Sequence, residues 1–471
     1  MVLAAWAAVA CTSPATPPAQ PDPDVPLADP IPTEPVASSL RLTLEEVASI
    51  PRSSPVPEPS DPRLVRAARI NYLGELPDGS GRLFVPDLNG KLYLVRGGAP
   101  AVYLDVGGAF AADFWNHQGM GAGLGFVAFH PDFARNGLFY TVHTEAREAL
   151  AIKTPDLPSQ PNPSHHGVLT EWRATDPSAD VFSGTRREVL RLGFRTYIHG
   201  FQQIDFDPAD PALLFLAVGD GGAGVSSNDP QDLAMPHGKI LRIDPGGTSG
   251  ANRKYGIPST NPFVARRGAL GEIYAYGLRN PHRFSWDTAS PSRMFVGNIG
   301  EHNIESIYEV AAGANFGWPR REGPFALLPG DGTCSVYPLP GDDRELGYTY
   351  PVAAYDHDPP PGFPRCRDTG DAVIGGFVYR GAVIPALTGK YLLGDDVNGR
   401  IVYAEAGEMG RGKALALLHE PVLLDITGQP VTMQQLAGHP RVDLRFGRDG
   451  AGEIYVLSKA NGKIWKVTAA R

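Results

Sequence analysis

The stretch LRFGRDGAGEIYVLSKANGKIWKV, Leu444–Val467, sets the reading of the whole chain. An apolar-aromatic pair leads into an Asp/Gly turn, an apolar strand run follows, and a Gly-Lys-apolar string opens the next strand. The same order of events recurs as GRLFVPDLNGKLYLV from Gly81, VAFHPDFARNGLFYTV from Val127 and IDFDPADPALLFLAV from Ile204. It returns as FSWDTASPSRMFVGNIG from Phe284 and GKYLLGDDVNGRIVYAE from Gly389, giving six copies in all. A strand-turn-strand unit repeated at such intervals is the signature of a radial β-array, in which each unit buries its apolar face against the next. The expected fold is all-β, a six-bladed β-propeller with long inter-strand loops on one face.

Composition agrees with many short strands. The 471 residues include 55 Gly and 46 Pro, and only 20% are charged. Glycine and proline at that density punctuate strands, and long helical periodicities are nearly absent. A length of this kind suggests two or three domains, but a propeller grows by adding blades rather than by enlarging one core. The net charge of −9, from 42 basic and 51 acidic residues, comes with no Lys/Arg-rich run. A nucleic-acid partner is therefore not expected, because phosphate binding needs a basic face. No apolar run approaches the ~20 residues that span a bilayer.

Three segments follow along the chain. Residues 1–11 end in AAVAC, small residues before Cys11 with a Ser/Pro/Thr-rich stretch after it, which resembles a bacterial lipoprotein signal whose cysteine is acylated. Residues 12–62 are Pro-rich and read as an extended spacer. Residues 63–471 form the body, in which Lys463–Val467 and a strand near Arg69–Leu73 are expected to close one blade and remove free sheet edges. These features point to an exported protein, periplasmic or on the cell surface, held at a membrane only through a lipid anchor. In that setting Cys334 and Cys366, both in a Pro/Gly-rich loop region, are expected to form a disulfide.

Long insertions at 144–167, 223–238, 245–270 and 319–372 are expected to wall a polar cleft above the ring axis. His199, in YIHGFQQIDF, lies on the loop that delivers the strand beginning near Ile204, and histidine is the commonest general base near neutral pH. His130 reads as a turn-holding residue, and the adjacent His165 and His166 do not suit one metal. Asp220, in VGDGGAG, is placed to accept from a neighbouring imidazole or to cap its own turn. In YGLRNPHRFSWD, Pro281 biases Asn280 to extended backbone, so Arg279 and Asn280 project at a strand boundary. The guanidinium suits carboxylate or quinone oxygens, or an inter-blade ion pair. Free carbonyls around GNIGEHNIESIYEV suit a hard cation such as Ca²⁺.

Taken together, GLGFVAFHPDFARNGLFY, HGFQQIDFDP with VGDGG, GKILRIDP, IYAYGLRNPHRFSWD, GNIGEHNIESIYEVAAGANFGWPRREG and GGFVYRG resemble the soluble quinoprotein glucose/sorbosone dehydrogenase family. The resemblance implies a six-bladed propeller that oxidises an aldose at C1 by hydride transfer to pyrroloquinoline quinone (PQQ), with a sugar substrate and a quinone or cytochrome electron acceptor. It implies that His199 is the base, that Asp220 orients it, and that Arg279 and Asn280 contact the quinone. Gly300 and Glu301 match positions whose carbonyls hold Ca²⁺, and Gln118 matches a substrate-side glutamine. Arg441 and Arg445 approximate the pair that grips the cofactor's carboxylates. The chain departs from the pattern at GDDVNGR, Gly394–Arg400, where the family carries a lysine and where Asp395 and Asp396 bring negative charge; Glu305 stays, but the second acid is Ser306. Those departures keep two rivals open: a cofactor-free extracellular binding propeller of the hedgehog-interacting type, and a Ca²⁺-dependent lactone hydrolase.

Overall fold

The computed structural model describes residues 22–148, 153–289, 291–328, 330, 332–358 and 370–471. Cys11 and Cys366 lie outside the described residues; Cys334 is disulfide-bonded. No helix is long and apolar enough to cross a membrane among these residues.

The sequence repeats fold into antiparallel sheets arranged as in a propeller. Four sheets stand separately, each of four strands hydrogen-bonded in chain order. The first spans Gly74–Glu75 to Ala99–Asp105, and the second Leu124–Phe129 to Gly184–Phe194. The third runs from Phe201–Asp207 to Ile273–Tyr276, and the fourth from Asn280–Asp287 to Ala353–Asp356. The last two repeats, from Val373–Val378 and from Leu444–Arg448, are fused into one eight-stranded sheet. The separate four-stranded blades thus number four and not the expected six.

One strand causes the fusion. Val36–Ser49 pairs antiparallel with Lys463–Ala470 on one side and parallel with His419–Leu424 on the other. The expected Pro-rich spacer, 12–62, is therefore not spacer throughout, and ring closure falls to this strand rather than to the Arg69–Leu73 segment. Its sequence alternates: Leu42 and Leu44 are buried while Arg41 and Glu45 are exposed, the period-2 pattern of a half-buried strand. Both leucines join a core cluster with Phe377, Leu392, Phe446 and Trp465, so the strand glues two repeats by apolar contact as well as by hydrogen bonds.

Adjacent sheets pack face to face through the apolar positions of each strand. Phe126, Val142, Leu169 and Leu190 of the second sheet share a cluster with Ile204, Leu214, Leu216 and Leu241 of the third. Tyr72 sits where three such clusters meet, its ring 4.5 Å from Phe126, 6.0 Å from Phe84 and 6.4 Å from Phe377. Contacts of one ring with three different sheets place it at the axis, beneath the site described next.

Candidate functional site

A cavity of about 580 Å³ opens at one end of the axis. Its wall draws one residue from the start of each repeat: Asn71, Gly125, Gln202, His282, Ala372 and Arg445. Inner strands that converge at one end carry their leading residues to a common centre, which is why residues nearly 400 positions apart share this wall.

His199 lines the cavity, and its position is fixed by both neighbouring segments. The residue has φ +54, in the left-handed region that non-glycine residues seldom occupy. Gly221 N–H donates to the His199 carbonyl at 3.0 Å, and Gly219 N–H to Gly200 at 3.0 Å, so the turn is held from the VGDGG segment. Gly222 (φ +69) abuts the same loop so closely that a Cβ there would lie 2.1 Å from Thr196 Oγ1. A side chain at 222 would be strained at this φ and would have to displace Thr196 and Ile198.

Asp220 is fully buried behind the imidazole. Its Oδ1 accepts from His199 Nδ1 at 2.7 Å, its Oδ2 from Trp318 Nε1 at 3.1 Å, and Gly222 N–H adds a third donor at 2.8 Å. Burial alone would push this carboxyl up, but the His199 charge and hydrogen bond, the Arg279 charge and the backbone donor together hold it below the usual range. An ionised Asp220 only accepts, so Nδ1 carries the hydrogen. Nε2, which has no partner among the described residues, presents its lone pair to the cavity.

Arg279 comes to the same cavity from the Asn280–Asp287 strand entry. Its carbonyl accepts from Asp220 N–H at 2.8 Å, which ties the two motifs together directly. Its Nε donates to Glu301 Oε2 at 2.6 Å, and the guanidinium lies 5.8 Å from the Trp318 ring. Asn280 is buried beside it, and its Oδ1 has no partner among the described residues. The structure therefore brings His199, Asp220, Arg279 and Asn280 together.

The Gly300–Ile304 turn is built around Glu322. One oxygen, Oε1, accepts from the amides of Glu301, His302, Asn303 and Ile304 at 2.7–3.1 Å. Four amides turned inward toward one carboxylate leave the carbonyls of Gly300 and Glu301 without hydrogen bonds among the described residues. Gly300 itself touches this knot: a Cβ would lie 2.0 Å from the Ile304 carbonyl oxygen and 2.8 Å from Glu322. Glu305 stands behind, accepting from His357 at 2.9 Å and from Val373 N–H at 2.8 Å.

On the opposite wall, Arg445 is bound to Asp396, and Arg441 donates to Asp443 at 2.6 Å and lies 3.8 Å from Asp396. The two aspartates of GDDVNGR thus have different fates. Asp396 is neutralised by arginine, while Asp395 turns away to the amides of Ala372, Val397 and Asn398 and to the Tyr355 hydroxyl. Burial, then repulsion from Asp371, raise Asp395 to about 7. Gln118 does not line the cavity; the residues that follow it, Gly119–Ala122, do.

Three contributors were not singled out from sequence. Gln160, from the 144–167 insertion, donates to the Asp220 carbonyl and to Asp229, both at 2.8 Å, and accepts from Arg195 N–H at 3.0 Å. Trp318 donates to Asp220, and nothing in ANFGWP signals that bond. Glu322 organises a turn some 20 residues upstream.

No cluster of three or more His, Cys, Asp or Glu side chains able to hold a metal occurs among the described residues. A cation here would rest on carbonyls, and the two free ones at Gly300 and Glu301 fit that role; the arginines fit an oxygen-rich planar ligand, while the unpartnered Asn280 Oδ1, an acceptor, fits a donor or the cation.

The chain is similar to HIPL1 protein of Arabidopsis thaliana, 28% identical over 87% of this chain and 63% of that one. It is similar to human hedgehog-interacting protein, 26% identical over 83% of this chain and 49% of that one. The chain thus spans between about half and 63% of the length of these curated relatives. Among solved structures, the PQQ-bound form of aldose sugar dehydrogenase from Streptomyces coelicolor superposes with a TM-score of 0.57 at 19% identity, covering 93% of this chain and all of that one, a likeness of fold. The family model described as Glucose / Sorbosone dehydrogenase matches residues 72–324, more than half of the chain and the whole stretch that carries His199, Asp220, Arg279 and Glu301. The chain belongs to the glucose/sorbosone dehydrogenase family.

Proposed function

We propose that the protein is an exported PQQ- and Ca²⁺-dependent sugar dehydrogenase that oxidises an aldose at C1. The observation that carries this reading is the His199–Asp220 pair at 2.7 Å with Nε2 directed into a cavity that Arg279 and Asn280 also line. The ring is read as six-bladed, with the eight-stranded sheet counted as two units joined edge to edge by Val36–Ser49. The parallel pairing at that junction and the six strand entries around the cavity support the count.

Each residue has a task that its surroundings prepare. Arg279, with the Asn280 amide nitrogen, would hold the cofactor's quinone oxygens, and Arg441 and Arg445 would hold its carboxylates. The carbonyls of Gly300 and Glu301 would hold the cation. When bound, the quinone supplies a two-electron acceptor polarised by Ca²⁺. His199 Nε2 accepts the proton of the substrate's C1 hydroxyl, and Asp220 stabilises the imidazolium that forms and keeps the ring oriented. Asp220 is already ionised and has three donors, so this support needs no rearrangement at the moment of proton transfer. An external quinone or cytochrome would serve as the electron acceptor.

A second reading has its own support. Arg279 is engaged by Glu301, no lysine occupies Gly394–Arg400, and curated relatives include hedgehog-interacting proteins. A cofactor-free binding propeller follows if these outweigh the catalytic pair. Equilibrium binding of PQQ with Ca²⁺ decides between them: a saturable complex supports the enzyme, and no complex supports the binding protein.

A further inference from the structure

His165 and His166 open the His165–Ala174 strand, and the pleat sends them to opposite faces. His166 turns to the buried Arg191, whose guanidinium donates to its Nδ1 at 3.0 Å. His165 turns to the cavity that holds His199 and is one of its lining residues. The proton-transfer step uses His199 alone and leaves this second imidazole without a task.

The His165 ring is fixed by its neighbours. It is 2% exposed, and the near-parallel rings of Phe194 and Tyr197 lie 5.5 and 6.2 Å from it. Nδ1 is 3.1 Å from Ser164 Oγ, itself anchored to the Phe194 carbonyl at 3.3 Å. A hydroxyl can donate to Nδ1 or accept from it, so Ser164 satisfies that nitrogen in either tautomer. Nε2 has no hydrogen-bond partner among the described residues. It lies over Gly200, where a Cβ would stand 3.5 Å from it. Gly200 directly follows His199 and also lines the cavity. The free nitrogen of one imidazole thus opens beside the residue that carries the other.

Charge decides what this nitrogen can recognise. Burial, then the neighbouring His166, push the His165 imidazole down to about 3, so the ring is neutral near neutral pH. A neutral imidazole offers a carboxylate no opposite charge. A hydroxyl suits it better, because a hydroxyl donates to Nε2 in one tautomer and accepts from it in the other. A nearly buried ring nitrogen left unpaired is costly, so a ligand that fills the cavity gains by supplying the partner.

We propose that His165 is a specificity-determining residue whose Nε2 hydrogen-bonds a second hydroxyl of the sugar while His199 addresses the one at C1. The site then selects a polyhydroxylated substrate through two imidazoles with different tasks, one accepting a proton and one reading a hydroxyl. The inference deepens the dehydrogenase reading and rests on it for the C1 hydroxyl; recognition by His165 can be followed without turnover.

The test sets wild-type protein beside His165→Phe, which keeps a ring in the stack, and His165→Gln, which keeps a hydrogen-bonding side chain. A third variant, Gly200→Ala, leaves His165 in place and sets a methyl group against Nε2; the backbone there is outside the left-handed region, so alanine meets no φ penalty. The probes are glucose and its 2-, 3-, 4- and 6-deoxy forms. Turnover is measured with PQQ and Ca²⁺, sugar binding to the cofactor-free chain by saturation-transfer NMR, and folding by thermal unfolding. Wild type is expected to favour glucose over one deoxy form by about tenfold or more in kcat/KM. His165→Phe and Gly200→Ala are expected to lose that preference through weaker use of glucose alone, and His165→Gln to keep most of it. A merely structural histidine would lower all five sugars alike, and that result overturns the inference. The same preference in wild type and His165→Phe also overturns it and leaves the dehydrogenase reading standing. If nothing is turned over, yet the cofactor-free wild type binds glucose in preference to one deoxy form and His165→Phe does not, the inference stands and the dehydrogenase reading falls. Neither turnover nor binding of glucose overturns it. Should His165→Phe fail to fold, Gly200→Ala decides by the same comparison.

Discussion

Arg279 Nε lies 2.6 Å from Glu301 Oε2, so the guanidinium assigned to the quinone is tied to the very residue whose carbonyl is assigned to the cation. One short pair thereby couples the two halves of the proposed cofactor site. The arrangement separates the backbone of Glu301 from its side chain: the carbonyl is left for the cation, and the carboxylate positions arginine.

That separation is testable. Glu301→Gln is expected to keep Ca²⁺ affinity within a few-fold, because the ligand atoms are carbonyls, while altering PQQ affinity through a freed Arg279. Isothermal titration with Ca²⁺ checks this. A loss of Ca²⁺ affinity of about a hundredfold or more would make the side chain a metal ligand and contradict the assignment.

Asp220→Asn tests the tautomer argument. An amide in place of the carboxylate no longer fixes Nδ1–H, nor stabilises an imidazolium, and turnover is expected to fall by about 10³–10⁴ with little change in KM. Trp318→Phe removes one donor to the same carboxylate and is expected to cost about tenfold. Steady-state rates of the quinone-loaded variants measure both, and an Asp220→Asn enzyme at near wild-type rate rejects the pair as catalytic.

Closure by Val36–Ser49 predicts a sharp effect of truncation. Deleting residues 1–49 removes buried Leu42 and Leu44, worth about 3 kcal/mol or more by area alone, and bares the edges of Lys463–Ala470 and His419–Leu424. Lower thermal stability and aggregation are expected. A truncated chain that unfolds like the full one would show that the ring closes without this strand.

His357 supplies a pH signature. Burial works against its charge, yet the hydrogen bond and charge of Glu305 raise the imidazole to about 9. A raised value means that the protonated form stabilises the fold. The contribution is complete below the ordinary imidazole value of ~6.5 and is lost as pH rises through about 9. Its upper bound is about 3 kcal/mol. Denaturant unfolding between pH 6 and 10 should show this decline, and His357→Gln should flatten it; parallel profiles for the two proteins would remove His357 from the account.

The repeat was legible because strand alternation and Asp/Gly turns are local signals that survive in one sequence. The site residues on VGDGG and GLRNP were legible for a similar reason: each sits at a strand boundary, where a ring of blades delivers side chains to its axis. What escaped depends on contacts distant in sequence. Val36–Ser49 lies among prolines, and its partner strands, His419–Leu424 and Lys463–Ala470, lie at the far end of the chain. Gln160 sits in an insertion with no strand pattern and reveals itself only by reaching Asp220. Asp396 looked unfavourable for an anionic ligand until Arg445, 49 residues on, proved to neutralise it. The fusion of two repeats into one sheet depends on the same distant strand, which no count of repeats registers.

The most direct measurement is dye reduction by the full chain reconstituted with PQQ and Ca²⁺ across a panel of aldoses, with His199→Ala alongside. Turnover of at least one aldose is predicted, dependent on both additions and abolished in the variant while PQQ still binds. Quinone-dependent turnover that survives in His199→Ala, or a chain that neither binds PQQ nor reduces dye with any aldose, would contradict the account.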